Sequence, residues 1–233
     1  MFAAFEEHSG DPAIRGFLHL PGESNGDAIA LTHGAGGNCQ SKLLVEMAKA
    51  LAAAGFTVLR FDLPFRTARS YGPPRFGSAE RDRAGLRRVA VILKGGGTIN
   101  RARGDSVGRV FLGGHSYGGR QATLLLAEDP SVADGLLLLS YPLHPPKKPA
   151  ELRVKHFPFL TRPAFFVHGT RDPFGSIEEV QSALELIPGP HALLGVEGAG
   201  HELLPKKSAS DLPPRIAGEF ELFLAASPAR KTL

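Results

Sequence analysis

Short apolar runs alternate with amphipathic stretches along nearly the whole chain, and this alternation constrains the fold more than any single residue does. The strand-like runs are Ile14–Leu20, Ala28–Thr32, Phe56–Phe61, Arg109–Gly113, Gly135–Ser140, Pro163–Val167 and His191–Val196. Several (VFLG, LLLL, AFFV) are continuously apolar, the pattern of strands covered on both faces. Between them lie helical stripes: Leu44, Met47, Ala48 and Leu51; Leu86, Val89, Ala90 and Leu93; and Tyr117 to Glu128. A fourth helix is expected from Ser176, with Glu179 completing a capping box, and a last one from about Arg215. The order predicts an α/β fold, a mostly parallel central sheet with helices on both faces. The stretch before Ala28 is expected to add one or two strands at the sheet edge. The proline-rich insertion Tyr141–Pro163 is too short for a separate lid domain, so residues 1–233 are expected to form one domain.

The bulk numbers narrow the class. With 42% hydrophobic and 21% charged residues, the chain reads as an ordinary globular protein. A single cysteine, Cys39, rules out an internal disulfide. The opening MFAAFEEHSGD lacks the basic-then-apolar pattern of a signal peptide. The longest apolar run, Gly135–Leu139, falls far short of the roughly 20 residues that span a membrane. A cytoplasmic protein with no membrane attachment is expected. The net charge is +4, and Arg81, Arg83, Arg87, Arg88, Lys94, Arg101, Arg103 and Arg109 concentrate the basic excess. A solvated helix face and loop explains this cluster better than an anionic partner does. No motif or aromatic interleaving points to nucleic acid.

One junction carries chemistry. Gly114-His115-Ser116-Tyr117-Gly118 fits G-x-S-x-G, with an apolar strand before it and a helix after it. A serine at so sharp a corner needs small flanking residues, and the helix that follows favours negative charge beside it. Ser116 is therefore expected to be a nucleophile, which requires a base to take its proton. His201, in VEGAGHELLP directly after the last strand, has the right placement; His144, His156, His168 and His191 do not. Asp172, in HGTRDPFG after the preceding strand, is the expected acid, with Asp62 in reserve. The oxyanion donors are expected to be the backbone N–H of Tyr117 and that of Ala35, or next to it Gly36, in the THGAGG loop. His33 reads as a structural hydrogen-bonder of that loop.

These motifs, in this order, resemble the α/β-hydrolase superfamily over roughly residues 14 to 225, and most closely its small, lidless members of dienelactone-hydrolase type. LRFDLPFRTARSYGPP, with the HGAGG, GHSYGG and HGTRDPFG loops, is similar to the branch containing a testis-expressed protein and a subunit of a histone-acetylating chromatin complex. The resemblance implies the fold and the triad but no substrate, and it allows a role as a complex subunit. Arg66, Arg69 and Arg75, in the loop after the Asp62 strand, suit a carboxylate or phosphate on a substrate. Cys39 stands where a helix N-terminus can lower a thiol pKa, yet reads better as a buried structural residue.

The expected function is a serine hydrolase acting on a small soluble ester, thioester or lactone, with no metal or organic cofactor. The rival readings are a catalytically silent binding or assembly module, and an acyltransferase that uses the same triad.

Overall fold

A computed structural model describes residues 2–95, 108–204 and 211–227. The strands are β1 (Phe2–Glu7), β2 (Ile14–His19), β3 (Ala28–Thr32), β4 (Thr57–Phe61), β5 (Val110–His115), β6 (Gly135–Leu139), β7 (Ala164–Gly169) and β8 (His191–Val196). They form a single sheet in the order β1-β2-β4-β3-β5-β6-β7-β8. β1, β2 and β4 pair antiparallel, and every pair from β4/β3 to β7/β8 is parallel. The opening stretch thus supplies two edge strands, as expected.

The helices are α1 (Lys42–Ala53), α2 (Pro64–Ala68), α3 (Ser78–Gly95), α4 (Tyr117–Glu128), α5 (Ile177–Leu184) and α6 (Leu212–Ala226). The continuously apolar strands split their side chains between the two faces of the sheet, because successive residues point to opposite sides. Ala30, Leu112, Leu136, Leu138 and Phe166 join Leu86 and Val89 of α3 and Leu125 of α4 in one core. Leu31, Phe111, Leu137, Leu139 and Val167 join Leu44 and Met47 of α1 and Phe220 of α6 in the other. The sequence is apolar throughout these strands because neither face meets water.

Boundaries move where tertiary pairing extends an element. β5 continues two residues beyond the expected Gly113, since Gly114 still pairs with Thr32 and His115 with Leu139. α6 starts at Leu212, before the expected Arg215, with proline in its first turn, where the missing N–H costs nothing. The capping box of Ser176 and Glu179 on α5 is present. α2, only five residues long, is too short to show a helical period in sequence. The insertion after β6 carries a single 3-10 turn, Phe157–Phe159, and forms no lid domain. Among the described residues no helix is long and apolar enough to cross a membrane.

The basic cluster is largely neutralised by the chain itself. Arg81 pairs with Asp11, Arg83 with Glu128, Arg87 with Asp129, Arg88 with Glu7 and Arg109 with Asp27. Arg101 and Arg103 lie outside the described residues.

Candidate active site

Parallel strands gather their C-terminal ends along one edge, and every candidate group stands on a loop there. Ser116 sits between β5 and α4 with φ 51° and ψ −114°, a conformation rare for a residue with a side chain. Its N–H donates to Leu139 O at 2.9 Å, which ties the corner to β6. The flanking glycines are required by close approach. A Cβ at Gly114 would lie 2.6 Å from the Gly119 nitrogen, and one at Gly118 would lie 2.6 Å from Thr32 Cγ2 and 2.7 Å from His33 O.

His201 and Asp172 converge on this serine from the loops after β8 and β7. His201 Nε2 lies 2.8 Å from Ser116 Oγ, and His201 Nδ1 lies 2.8 Å from Asp172 Oδ2. With Asp172 accepting from Nδ1–H, Nε2 is free to accept the serine proton. Burial of Asp172 pushes its carboxyl up. The hydrogen bond and charge of His201, with the Phe174 N–H 2.9 Å from Oδ1, more than offset this and hold it below the usual aspartate value. The other histidines are engaged elsewhere: His144 with Pro145 O, His156 with Thr123, His168 with Gly175 O and His191 with Gly189 O. Asp62, the reserve acid, binds Arg15 and the Cys39 N–H instead of His201.

The Thr32–Gly37 loop passes directly over the serine: a Cβ on Gly34 would stand 3.4 Å from Ser116 Cβ. The N–H groups of Ala35 and Gly36 meet no acceptor among the described residues. The N–H of Tyr117, first residue of α4, has no intrahelical partner. His33 braces the loop, donating from Nδ1 to Gly34 O (2.8 Å) and accepting the Leu63 N–H at Nε2 (3.1 Å). Burial depresses its pKa to about 4, so it stays neutral in this role.

One of the expected substrate arginines needs correction. Arg66 is 2% exposed and spends its guanidinium on the carbonyls of Gly37 (2.7 Å), Ala35 (3.0 Å), Gly72 (2.9 Å) and Arg69 (3.2 Å). It holds the glycine loop from behind and has no free donor pair for a substrate anion. Arg69 donates to Pro73 O, and both Arg69 and Arg75 line a cavity of about 240 Å³ whose walls include neither Ser116 nor His201. Cys39 is buried, and burial together with nearby Asp62 pushes its thiol up to about 12, which leaves it inert.

Sequence reasoning missed three supports. His115 Nε2 donates to His201 O at 2.9 Å, pinning the main chain of the loop that carries His201. Phe174 lays its ring 4.2 Å from the imidazole of His201. Asp82, fully buried on α3, accepts from the Phe65 N–H (3.0 Å) and the Tyr117 hydroxyl (2.7 Å). Asp82 shares an i, i+4, i+7, i+11 stripe with Leu86, Val89 and Leu93, so an acid on an apolar stripe was the available signal.

Burial raises the Asp82 carboxyl, although both hydrogen bonds oppose it. Tyr117→Phe removes one of them and leaves the charge under-solvated, with an expected loss of about 1–3 kcal/mol at neutral pH. Because the native pKa then rises further, the deficit shrinks as the pH falls and Asp82 protonates in both proteins. Urea unfolding at pH 7 and pH 5 checks this; a deficit independent of pH would place the effect in packing alone.

The whole topology recurs among solved structures. The chain is similar to a dienelactone hydrolase from Anabaena variabilis (TM-score 0.71, 20% identity, covering 97% of this chain and 98% of that one). It is similar to XC6422 from Xanthomonas campestris, described as a serine hydrolase without a lid (TM-score 0.68, 18% identity, 97% of both chains). Est1E from Butyrivibrio proteoclasticus aligns with a TM-score of 0.68 at 17% identity, over 95% of this chain and 99% of that one. At these identities the likeness establishes the α/β-hydrolase fold. The family model described as "Alpha/beta hydrolase domain" matches residues 25–214, most of the length of this protein, and the chain therefore belongs to that family.

Proposed function

We propose that this protein is a serine hydrolase that cleaves a small ester, thioester or lactone through an acyl-enzyme on Ser116. The observation that carries the reading is the unbroken relay from Ser116 Oγ to His201 Nε2 and from His201 Nδ1 to Asp172 Oδ2, each link 2.8 Å. Ser116 Oγ attacks the carbonyl carbon as its proton passes to His201 Nε2. The carbonyl electron pair moves onto oxygen, facing the N–H groups of Tyr117 and Ala35, with Gly36 beside them. When the pair returns, the bond to the leaving group breaks, and His201 gives that group its proton. Water then attacks the acyl-enzyme with His201 again as base, releasing the acid and restoring the serine. Asp172 orients the imidazole and stabilises its protonated form, and Phe174 and the His115 hydrogen bond keep the ring in place.

The test is covalent labelling with a fluorophosphonate, read by intact mass. Wild type is expected to gain one probe mass, and Ser116→Ala and His201→Ala none. Absence of an adduct on folded wild type after prolonged exposure would overturn the reading and favour a silent binding module. Product analysis on the first active ester separates hydrolysis from transfer to another acceptor.

A further inference from the structure

Strand β7 is apolar along AFFV and then carries a histidine that the proposed relay does not use. His168 pairs in register with Gly195 of β8, and its side chain is 1% exposed. Side chains alternate along a strand, so His168 points to the same side of the sheet as Ala164 and Phe166. Its Nε2 lies 2.9 Å from Gly175 O. A carbonyl can only accept, so Nε2 carries a proton. The same nitrogen stands 3.8 Å from Asp172 Oδ2, the oxygen that accepts from His201 Nδ1 at 2.8 Å. At that range it acts on the carboxylate by charge and not by a hydrogen bond. His168 is accordingly among the groups that hold the Asp172 carboxyl below its ordinary value.

Gly175 closes the turn that begins at Asp172. The Asp172 N–H donates to Gly169 O (3.1 Å), the Phe174 N–H to Asp172 Oδ1 (2.9 Å) and the His144 N–H to Phe174 O (3.1 Å). Gly175 has φ 154°, and a Cβ there would stand 3.1 Å from Leu143 Cβ. Holding Gly175 O therefore fixes the far end of a turn that carries both Asp172 and Phe174, the ring packed 4.2 Å from the imidazole of His201. A histidine in this place is unfavourable in one respect. Nδ1 is buried and meets no partner among the described residues. Such an atom destabilises a fold, and an apolar residue continuing AFFV would avoid it. A buried position that breaks the local pattern at this cost is the mark of one held for function.

We propose that His168 is a positioning residue of the reaction: its Nε2–H holds the Asp172–Gly175 turn, and with it the Asp172 carboxylate, where His201 is oriented. This rests on the serine-hydrolase reading and adds to it a residue that touches no substrate. Without the Nε2–H the end of the turn is released and Oδ2 moves relative to His201 Nδ1. The imidazole then loses the alignment by which its Nε2 takes the serine proton. Small misplacements of a reacting group slow the chemical step, so kcat falls while KM does not follow.

The experiment measures the rate of fluorophosphonate labelling, with kcat and KM on p-nitrophenyl acetate, in His168→Leu, His168→Gln and His168→Asn. In His168→Leu the labelling rate and kcat are each expected to fall about 30- to 100-fold, with KM within about twofold of wild type. Glutamine extends an amide N–H to the place of Nε2, so His168→Gln is expected to recover to within about fivefold of wild type, and the shorter His168→Asn is not. Added to Asp172→Asn, His168→Leu is expected to cost less than about threefold more, because its effect passes through Asp172. A full loss in both backgrounds would make His168 a packing residue and overturn the proposal. So would a His168→Gln no faster than His168→Asn, or a His168→Leu with raised KM and unchanged kcat. If His168→Leu does not fold, the contrast between Gln and Asn decides. Labelled wild type with an equally reactive His168→Leu removes the positioning role alone, whereas wild type that never labels removes the hydrolase reading beneath it.

Discussion

Ser116→Ala is expected to lower kcat toward any ester the protein turns over by about 10⁵- to 10⁶-fold, with Tm nearly unchanged. The first part follows from chemistry: without Oγ no acyl-enzyme forms, and the remaining donors can only assist direct attack by water. The second follows from geometry. The corner at φ 51° is built by the close approach of Gly114 to Gly119 and of Gly118 to Thr32, and by the Ser116 N–H bond to Leu139 O. None of these involves the hydroxyl, whose one partner among the described residues is His201 Nε2. Steady-state kinetics beside thermal unfolding measures both. A variant that kept more than about one per cent of wild-type kcat would mean that the nucleophile is a different group.

Asp172→Asn is expected to cost about 10³- to 10⁴-fold in kcat, by a different route. The amide is nearly isosteric and can still accept the Phe174 N–H, but it offers His201 Nδ1 a donor where the carboxylate offered an acceptor. The imidazole then carries its proton on Nε2 and presents a donor to Ser116 Oγ, so it cannot act as base. The same substitution alters stability with pH. The native Asp172 carboxyl lies below its ordinary value, so its contribution is present in full above the unfolded value of about 4 and is lost as the pH falls through the native one. The Tm advantage of wild type over Asp172→Asn should therefore narrow below about pH 4. An advantage that grew on acidification would contradict the carboxylate–imidazole pairing.

Much of this protein is legible before any coordinates, because the signals are local. Continuous apolar runs and 3.6-residue stripes located seven of the eight described strands and five of the six described helices, while the weak edge strand β1 was anticipated only as an addition before Ala28. The elbow could be placed from five residues, since glycine spacing and the strand–helix junction are properties of neighbouring positions. Chain order then singled out His201 and Asp172 from their rivals, although they lie 85 and 56 positions from Ser116.

Other roles depended on which groups meet in space. Arg66, Arg69 and Arg75 look equivalent in sequence, yet only the fold shows that Arg66 is consumed by four carbonyls behind the glycine loop. Asp82 and Tyr117 are 35 positions apart; the apolar stripe of Asp82 hints that the acid is buried, but only the fold shows that it anchors the residue beside the serine. The sequence by itself determined the layers of the fold, the strand–helix corner at Ser116 and the order of the residues that meet it, because backbone preference and apolar periodicity act over a few residues. Tertiary structure alone decided which charges are spent internally, because ion pairing and burial depend on distances between segments remote in the chain.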